Sequence, residues 1–395
     1  MNEQLVVKNF GPFGEKGADV TFKKVTIFIG PTGGGKSTLA KLAAILFGGQ
    51  VKISNNLLTI DNGLIQYNIS NYKTLDSFIQ WTKASGDNFT VDRPLSLGKA
   101  EENANGELSE EFIDDLVSRL AKQSKLGAMA KGAIKDAVIN QLVGAHLNSR
   151  LPGSSEPYLV SYIPTERVFA PAIEYSWAGL MRDDIGLPKT LLEFANSFSL
   201  SRKEISELEI PFLNVKYLHI DGRDFIKIPE REEPLMLLEA ASGIQSVTPL
   251  LVLLEYLSRN TEQAQSFIIE EPELNLYPTA QQGLLNWLVE KCTKGENDLT
   301  ITTHSPYILS SCNLLLEAYK VAQQRPELAD EIDKIVPRAY WLNPEEFAAY
   351  YVADGTVKPI TDTRTHLIGG NELDAVSGDI SDSFRRLLQL KKQVA

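Results

Sequence analysis

The chain has 395 residues, 43% apolar and 23% charged. It therefore has the make-up of a folded protein of about two to three domains, and not of a disordered, collagen-like or disulfide-stapled one. Fifty-one acidic against 39 basic side chains leave a formal charge of −12, which sets the average surface against a nucleic-acid coat but leaves room for a local basic groove. Two distant cysteines, Cys292 and Cys312, and four scattered histidines show no metal-type spacing. Reduced thiols, a start without a basic region and no apolar run near the ~18 residues of a membrane span point to a cytoplasmic protein without membrane contact.

In chain order, Gln4–Phe10 reads as a strand, Ala18–Phe22 alternates, and Val25–Gly30 is an apolar, β-rich run. Residues 36–47 then read as a buried helix closed by Gly48 and Gly49. From 85 to 156 the composition turns polar. Within it Ser109 can cap a helix with Glu110 and Glu111 in its first turn, and Phe112, Leu116 and Leu120 recur at i+4. This stretch is expected to be a mostly helical insertion.

Tyr158–Pro164 reads as a strand, residues 187–198 as helical, and residues 214–228 as a hairpin turning at Asp221-Gly222. His219 falls in its first strand, where a structural role is expected. An apolar helix over 244–260, a buried strand over 266–271, a helix over 279–292 and a β-rich run over 298–306 follow. The tail holds a hairpin over 347–360 and a final helix from about Asp379. The pattern predicts an α/β fold: a mixed sheet flanked by helices, with a helical lobe and a helical insertion. Residues 1–84 and 247–310 would form two parts of the core. Residues 85–156 would be the insertion, 157–246 a strand, lobe and hairpin, and 311–395 a C-terminal extension.

Gly30 to Ser37, GPTGGGKS, matches the phosphate-loop pattern G-x-x-x-x-G-K-[ST] in full. Gly30, Gly33, Gly34 and Gly35 let backbone N–H groups turn inward around phosphates, and the helix that follows aims its positive end at them. Lys36 can reach the β- and γ-phosphates and the Ser37 hydroxyl can ligate Mg²⁺. Thr38 is next in line for a phosphate contact. The motif follows a buried strand and opens a helix, the context its chemistry needs.

The strand over 266–271 ends in two adjacent glutamates. Period-2 alternation sends their side chains different ways, which suits two tasks. Glu270 is assigned to Mg²⁺ and Glu271 to the attacking water.

Together these segments resemble the ABC-type P-loop ATPases, and within them the SMC-like group that includes the overcoming-lysogenisation-defect family. The resemblance rests on LVVKNFGPFG and the phosphate loop, on the signature-like EAASGIQS (Glu239 to Ser246), on EEPELNLYP (Glu270 to Pro278) and on THSP (Thr303 to Pro306), in the family's order over most of residues 1–310. It implies ATP and Mg²⁺ as cofactors and two copies closing around two ATP molecules. Ser242, Gly243 and Gln245 match the signature that caps the γ-phosphate held by the opposing copy; a serine before a helix supplies a hydroxyl and the helix start supplies N–H donors. His304, 33 residues after Glu271, matches the family's switch histidine. Leu274 to Tyr277 occupies the D-loop position, with Asn275 its polar candidate. The pattern Ala241-Ser242-Gly243-Ile244-Gln245 departs from the Leu-Ser-Gly-Gly-Gln of transporter subunits, which argues against transport.

Tyr162 to Arg167, YIPTER, resembles a segment of related bacterial ATPases at the Q-loop position, without a glutamine. An ion pair between Glu166 and Arg167 is the plainer use of its charges. Phe10 or Phe13 could stack on adenine or simply fill the core. The chain lacks long heptad arms and a recognisable Toprim nuclease. The resemblance therefore implies an ATPase, a homodimer or higher homo-oligomer, coupled to a separate nuclease or toxin effector, as in Septu-like, PARIS-like and retron-associated anti-phage systems. The alternative is an ATP-gated clamp on nucleic acid, for which Arg385, Arg386, Lys391 and Lys392 are the basic candidates; they equally suit the dipole of a helix C-terminus.

Overall fold

A computed structural model describes residues 2–48, 52–54, 57–59, 64, 66–84, 86–91, 159–172, 186–259, 263–369 and 383–387. Glu3–Phe10 (β1) and Ala18–Phe22 (β2) alternate buried with more exposed side chains and pair antiparallel. Val25–Ile29 (β3) is buried at all five positions, as expected of a strand covered on both faces. The glycine loop leads into Lys36–Phe47 (α1), whose run of Leu, Ala and Ile is buried on nearly every side.

Lys52–Ser54 (β4), Leu57–Thr59 (β5), Lys73–Thr82 (β6) and Asn88–Val91 (β7) join the first two strands in a sheet of order β2-β1-β6-β7-β5-β4. Strand β7 corrects the expectation of a helical insertion for residues 88–91. Phe89 packs on Trp81 of β6 with ring centroids 5.8 Å apart, and this cross-strand pairing outweighs the polar local composition. Residues 85 and 92–156 of the expected insertion, including Ser109 to Leu120, lie outside the described residues, as do Lys391 and Lys392.

Leu159–Ile163 (β8) and Lys189–Glu204 (α2) follow. Glu207–Ile210 (β9), Val215–Ile220 (β10), Arg223–Lys227 (β11) and Leu235–Met236 (β12) make a small antiparallel sheet. Its hairpin turns at Asp221 (φ 49°) and Gly222 (φ 77°), the left-handed pair such a two-residue turn requires. His219 is structural as expected: its Nδ1 lies 2.8 Å from Asp224, which also accepts a hydrogen bond from Tyr217 and pairs with Arg202.

The chain then runs through Ser242–Leu257 (α3), Gln265–Glu270 (β13), Pro278–Cys292 (α4) and Asp298–Thr303 (β14). Pro306–Gln324 (α5), Ala329–Ile335 (α6), Phe347–Ala353 (β15) and Thr356–Pro359 (β16) complete it. The core sheet has the order β16-β15-β3-β14-β13-β8, parallel except for β16. The hairpin expected within a C-terminal extension therefore supplies two strands of the core, with β15 directly beside β3.

Alternate residues of the core strands feed two hydrophobic clusters. Val25, Ile27, Ile29, Phe267 and Ile269 face the cluster shared with α3, α4 and α5. Phe28, Ile268 and Val352 face the other, shared with α1 and the β1–β2 strands. Each such side chain contributes roughly 1.5–3 kcal/mol by its burial, and truncating one to alanine costs about 2–5 kcal/mol. The carboxyl ends of β3, β13 and β14 are thereby held rigidly side by side, the usual place for a ligand in an α/β sheet. No helix among the described residues is long and apolar enough to cross a membrane.

Candidate nucleotide site

The loop between β3 and α1 is shaped by close backbone approach. Gly30 has φ 151° and a Cβ there would come within 2.2 Å of the Val352 carbonyl oxygen of β15. Gly35, at φ 111°, caps α1, and a Cβ would meet the Phe13 ring at 2.6 Å. Only glycine fits either place. Lys36 is buried and curls back over the loop, donating from Nζ to the carbonyls of Gly30 (2.9 Å) and Pro31 (3.0 Å). Burial lowers its pKa, and the nearby Glu271, Glu270 and Glu273 oppose that shift.

Pro12, Thr32, Gly33, Gly35, Lys36, Ser37, Thr38, Tyr72, Glu271 and His304 line one cleft of about 270 Å³. Phosphate loop, acidic strand end and β14 end thus meet at a single place. Phe10 and Phe13 do not reach it: both are at most 1% exposed and belong to the core. Tyr72 lines the cleft instead, its ring edge-on to Phe10. A lone tyrosine in a polar stretch carries no sequence signal for that position.

Glu270 and Glu271 point different ways. The Glu270 side chain is buried beneath the loop, and one carboxylate oxygen, Oε1, has no hydrogen-bond partner. Burial raises its pKa, opposed by the Tyr162 hydroxyl, Lys41 and the Ser37 hydroxyl. A buried, partnerless carboxylate oxygen close to a serine hydroxyl is a donor set that suits Mg²⁺. Glu271 enters the cleft with its Oε1 3.1 Å from His304 Nε2. That hydrogen bond holds its carboxyl below the usual range in spite of partial burial, helped by Lys36 and Arg167.

Two further residues organise this edge. Glu273 is buried and accepts from the Thr303 hydroxyl (2.5 Å) and the His304 backbone N–H (3.2 Å), so it ties the loop after β13 to the end of β14. Arg167 corrects the expected ion pair with Glu166. Its guanidinium, fully buried, donates to the backbone carbonyls of Pro164, Glu270 and Glu271. Sequence adjacency suggested the pair, but the 3-10 turn Thr165–Phe169 turns Arg167 inward toward β13.

Ser242, Gly243 and Gln245 lie at the start of α3 and do not line the cleft. Ser242 is the first helical residue and not the cap: Ala241 holds that position without a side-chain bond. Gln245 turns back to the carbonyls of Leu238 (2.8 Å) and Ala240 (2.7 Å). Gly243 packs against Asn275, where a Cβ would stand 2.6 Å from the carbonyl oxygen. The signature segment and the D-loop segment are therefore adjacent, with Asn275 (φ 64°) in the left-handed conformation.

Two family models match the chain: an AAA domain over residues 4–145 and an AAA ATPase domain over residues 186–309. No curated protein matches it. Among solved structures it is similar to an SMC head bound to the C-winged helix domain of ScpA, at 11% identity and a TM-score of 0.39 over 90% of this chain and 96% of that one. It is also similar to the SMC head domain from Thermotoga maritima, at 13% identity and a TM-score of 0.35 over 91% of this chain and 98% of that one. The two family matches take in both the strand that feeds the phosphate loop and the strands that lead to Glu270, Glu271 and His304, so the segments that build the cleft are similar to AAA-type domains, on a P-loop α/β fold.

Proposed function

We propose that the chain binds Mg²⁺-ATP in this cleft and hydrolyses it. The observation that carries the reading is the convergence of Lys36, Ser37, Glu271 and His304 on one cleft at the carboxyl ends of three parallel strands. Lys36 and the loop N–H groups take the phosphates. Ser37 and Glu270 would hold Mg²⁺, which neutralises the phosphate oxygens as charge shifts during transfer. Glu271 orients the attacking water, and His304, bonded to it, stands where a γ-phosphate would be felt.

The remaining parts of the proposal concern assembly. Ser242 and Gly243 lie away from the cleft of their own chain; Ser242 is exposed, and Gly243 is buried against the exposed Asn275, which suits capping of ATP bound by a second copy. Closing and reopening of such a homodimer would transmit nucleotide state to a separate effector, with defence against phage as the biological setting.

The test of the core reading is Lys36→Ala. Nucleotide affinity measured by calorimetry should collapse, because the change deletes a buried cation facing the triphosphate. Undiminished affinity would mean that the loop holds something else.

A further inference from the structure

We propose that Arg167 is a positioning residue for hydrolysis: its guanidinium spans the carbonyls of Glu270 and Glu271 and fixes the backbone turn that aims the Glu271 carboxylate into the cleft. This rests on the reading of the cleft as an ATP-hydrolysing site.

Strands β8 and β13 pair in parallel until Ile163 and Ile269. Beyond that pair β8 is over: Pro164 follows and has no N–H, and among the described residues no further strand N–H pairs with the carbonyls of Glu270 and Glu271 from that side. Arg167 supplies the donors instead. Nη1 reaches Glu270 O at 2.6 Å and Pro164 O at 3.0 Å, and Nη2 reaches Glu271 O at 2.6 Å. All three acceptors are backbone oxygens. A buried arginine serving only to neutralise carboxylates would aim at carboxylate oxygens, which accept more strongly. The side chain has no exposed surface, and its Nε has no hydrogen-bond partner among the described residues, so the cost of taking the guanidinium out of water is offset through the two Nη atoms and their carbonyls alone.

The consequence falls on Glu271. Its φ is 41°, a conformation that non-glycine residues seldom adopt and that surrounding structure must enforce. Its N–H donates to Thr302 O at 2.9 Å, and its C=O accepts from both Arg167 and the Leu274 N–H at 3.0 Å. The peptide units on both sides of its Cα are therefore pinned. With the backbone held so, the side chain meets His304 Nε2 at 3.1 Å. A lysine in place of Arg167 would keep the charge but present one ammonium, which lacks the planar fork that reaches two carbonyls at once.

The test uses the full chain with Arg167→Lys and Arg167→Ala. Arg167→Lys should keep Mg²⁺-ATP affinity within about threefold, since every phosphate-loop residue remains. Its single-turnover hydrolysis should fall by on the order of 10², the scale of a small misplacement of a reacting group. Arg167→Ala should show the same split and regain about tenfold in rate with added guanidinium ion, which can refill the donor site; Lys36→Ala should gain nothing. Hydrogen exchange in Arg167→Lys should quicken at the amides of Glu271, Glu273 and Leu274 and stay unchanged in α1. Wild-type hydrolysis in Arg167→Lys would overturn the proposal, and so would an equal loss of binding and hydrolysis. If the wild-type chain hydrolyses no ATP, the reading of the cleft falls and the hydrolytic role of Arg167 with it; if the wild type hydrolyses ATP but exchange at Glu271 is unchanged in Arg167→Lys, the positioning role alone is overturned.

Discussion

The carboxylate of Glu271 and the imidazole of His304 face each other at 3.1 Å across the ends of two adjacent parallel strands, β13 and β14. Each strand end is rigid, so the pair keeps its spacing without help from flexible loops. The loop residue Glu273 ties the two ends together a second time, through the Thr303 hydroxyl and the His304 backbone. The group proposed to sense phosphate and the group proposed to orient water are thus mechanically one unit.

A pH dependence follows from this pair. The His304 hydrogen bond is the largest influence on Glu271 and lowers its pKa from 4.5, against the effect of burial. The carboxylate therefore stays charged as pH falls, and the proposed hydrolysis should be lost only below the ordinary carboxylate range. In His304→Gln the charged donor option is gone while burial remains, so the pKa rises. The acid limb of the residual hydrolysis rate should then move to higher pH than in the wild type. A pH–rate profile under single-turnover conditions checks this; an unmoved acid limb would show that another group governs it.

Ser242→Arg should leave ATP binding by the single chain intact and prevent hydrolysis. Ser242 is exposed at the start of α3 and lines no part of the cleft, so a bulky cation there cannot disturb Lys36 or Ser37. It would block close approach of a second copy at the helix start that is meant to cap its nucleotide. Calorimetry and steady-state hydrolysis on the same preparation separate the two effects. Equal loss of both would count against capping across an interface.

Far from the cleft, two buried acids predict an unusual stability profile. Burial raises both Glu3 and Asp298 to about 7 from ordinary values of 4.5 and 3.8. Between the unfolded and folded pKa values the native state binds more protons than the unfolded one, so stability falls as pH rises from about 4 to about 7 and then levels off. Glu3 accounts for about 3 kcal/mol and Asp298 for about 4 kcal/mol over that window. Asp298→Asn removes one of the two ionisations and should flatten the fall of Tm between pH 4.5 and 7.5 by about half. A wild-type Tm that climbs across this range would refute the assignment.

Much of this architecture is written in local patterns. Val25–Ile29 is apolar but for Thr26 because both of its faces are covered, and GPTGGGKS marks the turn that follows. The hairpin at Asp221-Gly222 and the strand ending in Glu270 and Glu271 announce themselves in the same way. What escapes local reading is contact made across long separations. Strand β15 lies beside β3 in the core sheet although more than 300 residues part them, and nothing in Phe347–Ala353 names its neighbour. Strands β4 to β7 gain their structure from a relay of pairings, β6 on β1, β7 on β6, β5 on β7 and β4 on β5, not from their own mixed composition. Tyr72 reaches the cleft through the turn before β6. Arg167 was visible only as the neighbour of Glu166, whereas two of its three carbonyl partners lie more than 100 residues away.

The two adjacent glutamates should separate cleanly when each is made neutral at constant shape. Glu271→Gln leaves Lys36, Ser37 and Glu270 in place, so Mg²⁺-ATP still binds. It removes the charge that orients the attacking water, and hydrolysis should fall by on the order of 10² or more. Closed, ATP-bound dimers should then accumulate, because the step that reopens them is blocked. Glu270→Gln acts on a different object. Its carboxylate is buried, with one oxygen free of hydrogen bonds and the Ser37 hydroxyl close by, so the change removes a Mg²⁺ ligand and should weaken Mg²⁺-dependent binding itself. It should also relieve the burial of a charge, so the folded protein should be no less stable to heat than the wild type. Size-exclusion chromatography with Mg²⁺-ATP, run beside calorimetry with and without Mg²⁺, compares the two variants directly. Normal hydrolysis in Glu271→Gln together with dimer accumulation in Glu270→Gln would reverse the assignment. Unchanged hydrolysis in both would remove this strand end from the reaction altogether.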